Sequence, residues 1–322
     1  MHRFVATQAR NALLRPGPDP TYADGDDASW QAVDWSTMLR RVQVLGSAMN
    51  VVDTGGDGPP IVWIHGLGGC WQNWLLNLPA FMATNRCIAM DLPGFGFSEL
   101  PREPITIQNY ARAVDALCQE FGLERVTVVG NSMGGFIGAE VALSFATRVE
   151  RLVLVSAAGL SVEYQRRQPL LTLARVMTIA TTRATAYNHR VVVRPRLRRA
   201  AMQTVVRYPE KLSPALTFEQ MRGTGKPGFV AALDALMSYS FRDKLAQIQV
   251  PVLVVWGAND MMVPVDDAQL FVDLIGSNAR RIVFEDTGHA PMLERPSRFN
   301  ALLAEFLAGE PAPESAVAGV HA

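Results

Sequence analysis

The sequence predicts an α/β fold built on a mostly parallel, eight-stranded sheet with helices on both faces and a helical segment inserted after the sixth strand. Three observations carry that expectation. From Ile61 onward, compact apolar runs of strand length alternate with helix-length segments, the pattern of strands buried on both faces by crossover helices. Two β-rich runs closed by the turn segment TGGDGPP come first and read as an antiparallel hairpin. The alternation stops between about residues 160 and 245 and then resumes, which marks an insertion into one core.

The 322 residues can bury one large core carrying such an insertion. With 49% hydrophobic and 19% charged residues, the chain lies in the globular range, far from disordered composition. Lys and Arg number 30, as do Asp and Glu, so bulk charge nominates no nucleic acid or other polyanion as partner.

Residues 1–38 contain Pro16, Gly17, Pro18 and Pro20 and an acidic stretch from Asp24 to Asp27, and are expected to form a loosely structured lead-in. The hairpin runs are RRVQVLG and AMNVVDTG. The core spans 39–159 and 246–309, with further strands IVWIHG, CIAMD, VTVVG, LVLVS, VPVLVVWG and RIVFED. Helices are expected near Trp71 to Ala83, Ile107 to Phe121, Met133 to Phe145, Asp266 to Ile275 and Ser297 to Leu307. Residues 160–245 are expected to form a helical cap, and 310–322 a fraying, Pro- and Ala-rich tail. Cys70, Cys87 and Cys118 lack metal or redox spacing and read as buried free thiols, which suits a reducing compartment. The N-terminal stretch has no apolar run of signal-peptide length, and nowhere do 18 apolar residues follow one another. A cytoplasmic protein is expected.

The strongest chemical signal is VTVVGNSMGG, where Gly130, Ser132 and Gly134 form G-x-S-x-G directly between an apolar strand and a helix. A sharp strand-to-helix turn holds the serine out over the carboxyl end of the sheet in strained backbone, and only very small flanking residues fit it. Ser132 is therefore the candidate nucleophile. A hydroxyl needs a base within hydrogen-bond reach. Of five histidines, His2 and His321 lie near the chain ends, His189 in the insertion and His65 in the turn after the third strand. His289, in the loop after the last strand, is left as general base. Asp260, ending the preceding strand, is the carboxylate expected on its other ring nitrogen. Among its rivals, Asp91 organises its own turn, Asp286 sits on a strand exit, and Asp266 and Asp267 read as helix-start residues. HGLGG, from His65 to Gly69, supplies a glycine-rich loop, so the oxyanion donors are expected to be the main-chain amides of Leu67 and Met133.

HGLGG, DLPGFGFS, GNSMGG, GANDMMVP and GHAPMLERP, in this order, resemble the α/β-hydrolase superfamily from about Val42 to Leu307. The resemblance implies a serine hydrolase of carboxylesterase or monoacylglycerol-lipase type, with no metal or organic cofactor. Epoxide hydrolases and dehalogenases place an aspartate at the nucleophile position, and Ser132 argues against both. Asn131 and GNSMGG also resemble the meta-cleavage-product hydrolases, which cleave carbon-carbon bonds. Those relatives usually follow the histidine with tryptophan, and here it is Ala290, which moves the reading toward esters.

The expected substrate is a small-molecule ester of a small to medium apolar acid. Gly66 and Trp71 beside the oxyanion loop, and Met177, Phe229, Leu233, Leu236 and Met237 from the cap, are the candidate substrate contacts, with packing inside the cap as the competing role. Trp71 and Trp74 also suit packing against the sheet. Arg194, Arg196, Arg198 and Arg199 read either as a solvated helix face or as a basic surface for peripheral contact with anionic lipid. A hydrolase-shaped binding protein with an idle triad is the alternative from another class, and the complete set of triad residues speaks against it.

Overall fold

The structure, a computed structural model, describes residues 21–25, 27–161 and 193–309. Eight strands form one sheet: β1 (Leu39–Val44), β2 (Ser47–Asp53), β3 (Ile61–Ile64), β4 (Cys87–Met90), β5 (Val126–Asn131), β6 (Val149–Val155), β7 (Val252–Gly257) and β8 (Ala279–Phe284). Their order across the sheet is β1-β2-β4-β3-β5-β6-β7-β8. The first two pairings, β1 with β2 and β2 with β4, are antiparallel, and all others are parallel.

The central strands β3, β5 and β7 are buried at every position, which explains why they read as unbroken apolar runs. In chain order the helices are α1 (Asp27–Gln31), α2 (Leu78–Phe81), α3 (Ile107–Glu120), α4 (Met133–Ser144), α5 (Pro195–Met202), α6 (Pro214–Gln220), α7 (Phe229–Ser238), α8 (Asp266–Ile275), α9 (Pro291–Glu294) and α10 (Pro296–Ala308). The Thr106 hydroxyl caps α3 by accepting from the Asn109 amide at 3.0 Å. Ile107, Ala111, Val114 and Cys118 give α3 a buried stripe. On the other face, Trp63, Trp74 and Phe81 pack ring to ring, with centroids 5.1 and 5.7 Å apart.

Two expectations need correction. Trp71 to Ala83 is no continuous helix: a 3₁₀ turn at Trp71–Trp74 gives way to α2. Pro79 lacks the N–H that an uninterrupted helix needs and sits instead in the first turn of α2, where none is required. Nor are residues 21–38 loose. Their described residues contain α1, a 3₁₀ turn at Trp35–Thr37 and a buried Tyr22, whose hydroxyl donates to Glu294 across the molecule at 2.7 Å. Residues 1–20 and the tail 310–322 lie outside the described residues. The three cysteines are free and buried, and burial pushes the Cys87 and Cys118 thiols up to about 12. No helix among the described residues is long and apolar enough to cross a membrane.

Helices α5, α6 and α7 come from the chain between β6 and β7. Of its arginines, Arg194 and Arg196 are exposed. Arg198 instead is buried and donates to the carbonyls of Pro209 and Glu210 at 3.2 and 2.9 Å, and Arg199 pairs with Glu210 at 3.7 Å. The arginines therefore form no single solvated face.

Candidate active site

β5 ends at Asn131 and α4 begins at Met133, leaving one residue to turn the chain. Ser132 makes that turn with φ 56° and ψ −118°, a conformation that costs a non-glycine residue about 1–3 kcal/mol. Backbone bonds hold it there: the Ser132 N–H donates to Val155 at 2.9 Å, and its carbonyl accepts from Gly135 and Ala158, both at 3.0 Å. A Cβ on Gly130 would lie 2.2 Å from the Gly134 carbonyl oxygen, and one on Gly134 2.1 Å from that of Ile64. The flanking glycines are thus required by close backbone approach.

His289 is buried, and its Nδ1 donates to Asp260 Oδ2 at 2.7 Å. The other carboxylate oxygen of Asp260 accepts the amides of Met262 and Val263 at 2.7 and 2.9 Å. These bonds orient Asp260 and assign the Nδ1 proton of His289, which leaves Nε2 as the acceptor. Ser132 and His289 line one cavity of about 220 Å³. Among the described residues no hydrogen bond joins the Ser132 hydroxyl to the ring, a looseness common before substrate closes the geometry. Asp260 is the carboxylate that meets His289. Asp91 accepts from the Trp71 and Phe97 amides at 2.8 and 2.9 Å and so ties its own turn to the segment that follows β3, while Asp286 bonds Arg207 and Tyr208.

The loop after β3 is set by His65. Its Nε2 accepts the Leu92 N–H at 2.9 Å, so Nδ1 carries the proton and donates to the Gly66 carbonyl at 2.7 Å. Full burial holds its pKa below the ordinary histidine value, which favours this neutral form. A Cβ on Gly66 would stand 3.1 Å from that of Ser132, so the loop backbone runs directly beside the serine. The amides of Leu67 and Met133 donate to no protein acceptor among the described residues.

Of the expected substrate contacts, Gly66, Leu233, Leu236 and Met237 line the cavity, as does Leu67 of the expected oxyanion donors. Trp71 and Phe229 do not. Trp71 is buried against Trp35, centroids 5.3 Å apart, and Phe229, the first residue of α7, is buried in the core cluster that also holds Leu236, while Leu233, Leu236 and Met237 further along the helix line the cavity. Met177 lies outside the described residues. Sequence reasoning missed the wall supplied by Ala201, Met202, Thr204, Val205, Gln220 and Met221. It is also silent on how this wall is attached. The Asn73 amide donates to Gln220 at 2.7 Å, the Gln220 amide donates to the Gln72 carbonyl at 2.8 Å, and a Cβ on Gly223 would lie 2.1 Å from the Gly69 oxygen. The His289 N–H donates to the Val205 carbonyl at 2.8 Å. Glu294 is a further omission: wholly buried five residues after His289, it bonds the amides on either side of that histidine. The only signal was a carboxylate set among apolar residues in GHAPMLERP.

The chain is 28% identical over 273 residues to the dihydrolipoyllysine-residue acetyltransferase component of an acetoin cleaving system from Pseudomonas putida, covering 83% of this chain and 69% of that protein. It is 28% identical over 267 residues to 2-hydroxy-6-oxo-6-phenylhexa-2,4-dienoate hydrolase from Comamonas testosteroni, covering 78% of this chain and 88% of that one. Among solved structures, Est816, an N-acyl homoserine lactone degrading enzyme, is similar with a TM-score of 0.62 and 26% identity over 83% of this chain and 100% of its own. A family model described as the alpha/beta hydrolase fold matches residues 59–296, and the chain belongs to that family.

Proposed function

We propose that the protein is a serine hydrolase that cleaves carboxylic esters of small to medium apolar acids. Ser132 Oγ attacks the ester carbonyl and passes its proton to His289 Nε2, and Asp260 stabilises the resulting imidazolium. The tetrahedral oxyanion is held by the amides of Leu67 and Met133. Collapse expels the alcohol, protonated by His289, and leaves an acyl-Ser132. Water activated by the same ring then releases the acid. In this reading the chain between β6 and β7 is a cap that shapes the acyl pocket.

The observation that carries the ester over the carbon-carbon reading is the lining of the cavity. Apart from His289, every described lining residue is uncharged, and most are Leu, Met, Val, Ala or Gly. The substrate in the name of the Comamonas hydrolase is a dienoate, a carboxylate, and burying an anion without a cation is costly. A neutral ester suits this lining better. The likeness to that hydrolase and the Asn131–Ser132 pair favour the second reading, cleavage of a vinylogous diketone.

Initial rates on p-nitrophenyl acetate, butyrate and octanoate, set against a coloured dienoate, separate the two. The ester reading expects turnover with a chain-length optimum on the esters and little on the dienoate. The reverse order overturns it.

A further inference from the structure

Glu294 closes the short helix α9 with a side chain that no solvent reaches. Its Oε2 accepts the Gly288 N–H at 2.9 Å, the Arg207 N–H at 2.8 Å and the Tyr22 hydroxyl at 2.7 Å, and its Oε1 accepts the Ala290 N–H at 3.1 Å. All four partners donate, so the arrangement calls for the ionised carboxylate. Burial is the largest influence and leaves the Glu294 carboxyl above its ordinary value, while the bonds from Arg207, Gly288, Tyr22 and Ala290 oppose that rise.

The identity of the donors is informative. Two are the amides immediately before and after His289. A third belongs to the cap, two residues beyond the Val205 carbonyl that receives the His289 N–H. The fourth comes from the N-terminal segment, where the Tyr22 oxygen also accepts the Tyr208 N–H at 2.9 Å. The other charged groups packed nearby are engaged: Arg207 pairs with Asp286 at 2.5 Å, and the Arg295 Nε donates to Thr287 at 2.8 Å.

We propose that Glu294 is a positioning residue: by holding both amides that flank His289, together with one amide of the cap and the Tyr22 hydroxyl, it fixes the imidazole in register with Asp260 and Ser132. The N-terminal segment and the cap thereby become parts of the apparatus that aims the base. The proposal rests on the role assigned to His289 above.

Glu294→Gln keeps the volume but replaces one acceptor oxygen with an amide that only donates. On a p-nitrophenyl ester, kcat is expected to fall about 10- to 100-fold with KM changed less than about twofold, the pattern of a misplaced catalytic group. Tyr22→Phe, which leaves the amide contacts in place, should show a smaller loss of kcat with the same KM behaviour. A glutamine variant with lowered thermal stability but wild-type kcat would show a purely structural role and overturn the proposal. The low-field Nδ1 proton resonance of His289, assigned with a His289→Gln variant, gives a readout independent of turnover. It should shift or broaden in Glu294→Gln. An unchanged resonance overturns the proposal, whereas failure of the wild type on every ester counts against the ester reading alone.

Discussion

Asp260 has both carboxylate oxygens committed, one to His289 and the other to the Met262 and Val263 amides. Asp260→Asn keeps the shape, yet either loses the amide acceptor or turns a donor toward Nδ1, which then needs the opposite tautomer and strips Nε2 of its lone pair. A folded Asp260→Asn variant should therefore lose about 10³- to 10⁴-fold in kcat. Steady-state kinetics check this, and a loss below tenfold would remove Asp260 from the role. The placement of Ser132, Asp260 and His289 near one another was legible in the sequence because each follows a strand of the sheet inside a short motif. Glu294 was not. Its partners come from residues 22, 207, 288 and 290, and three of those four bonds are to main-chain amides, which leave no trace in residue identity. For Trp71 and Phe229 both packing and substrate contact were open, since an apolar side chain near a site does not announce which way it points, and the structure has them packing.

Among the elements, α8 is tied to the end of β6 by one carboxylate. Asp267 accepts from the Ser161 amide at 3.1 Å and its hydroxyl at 2.6 Å, so it meets the chain where the β6–β7 segment departs. Burial, the largest cause, raises its carboxyl from 3.8 to about 6, with the nearby Asp260 and Asp266 adding to the rise. The native state thus binds this proton more tightly than the unfolded chain. The stability it contributes is complete below the unfolded value and is lost as pH rises through about 6. Asp267→Asn removes that dependence, so urea unfolding across this window should drift in the variant's favour by about 2–3 kcal/mol. Parallel stability curves would show that Asp267 titrates as an ordinary carboxylate. The strands and the longer helices were readable because their burial patterns repeat locally. The break at α2 was marked by Pro79, yet the apolar run around it read as one helix. The burial of Tyr22 was not readable because its partner Glu294 lies 272 positions away.

At the scale of the whole molecule, the parallel strands deliver Ser132, Asp260 and His289 from the ends of β5, β7 and β8 to one edge of the sheet. The segment between β6 and β7 grips this edge twice, at the segment after β3 through Gln220 and Gly223 and at the loop holding His289 through Val205 and Arg207. In the proposed reading the cap is therefore a working wall of the site and not merely a cover. The insertion between β6 and β7 was legible as a break in alternation. Its contacts were not, because short helices such as α5 and α6 carry too few residues to declare a buried face.

The central claim is that Ser132 carries the acyl group. The most direct test is to mix the protein with p-nitrophenyl butyrate, quench in acid within the first turnovers, and map the adduct by peptide mass spectrometry. The account predicts one butyryl group on the peptide containing Ser132, absent from Ser132→Ala. An acyl group found on any other residue, or undiminished turnover by Ser132→Ala, would contradict it.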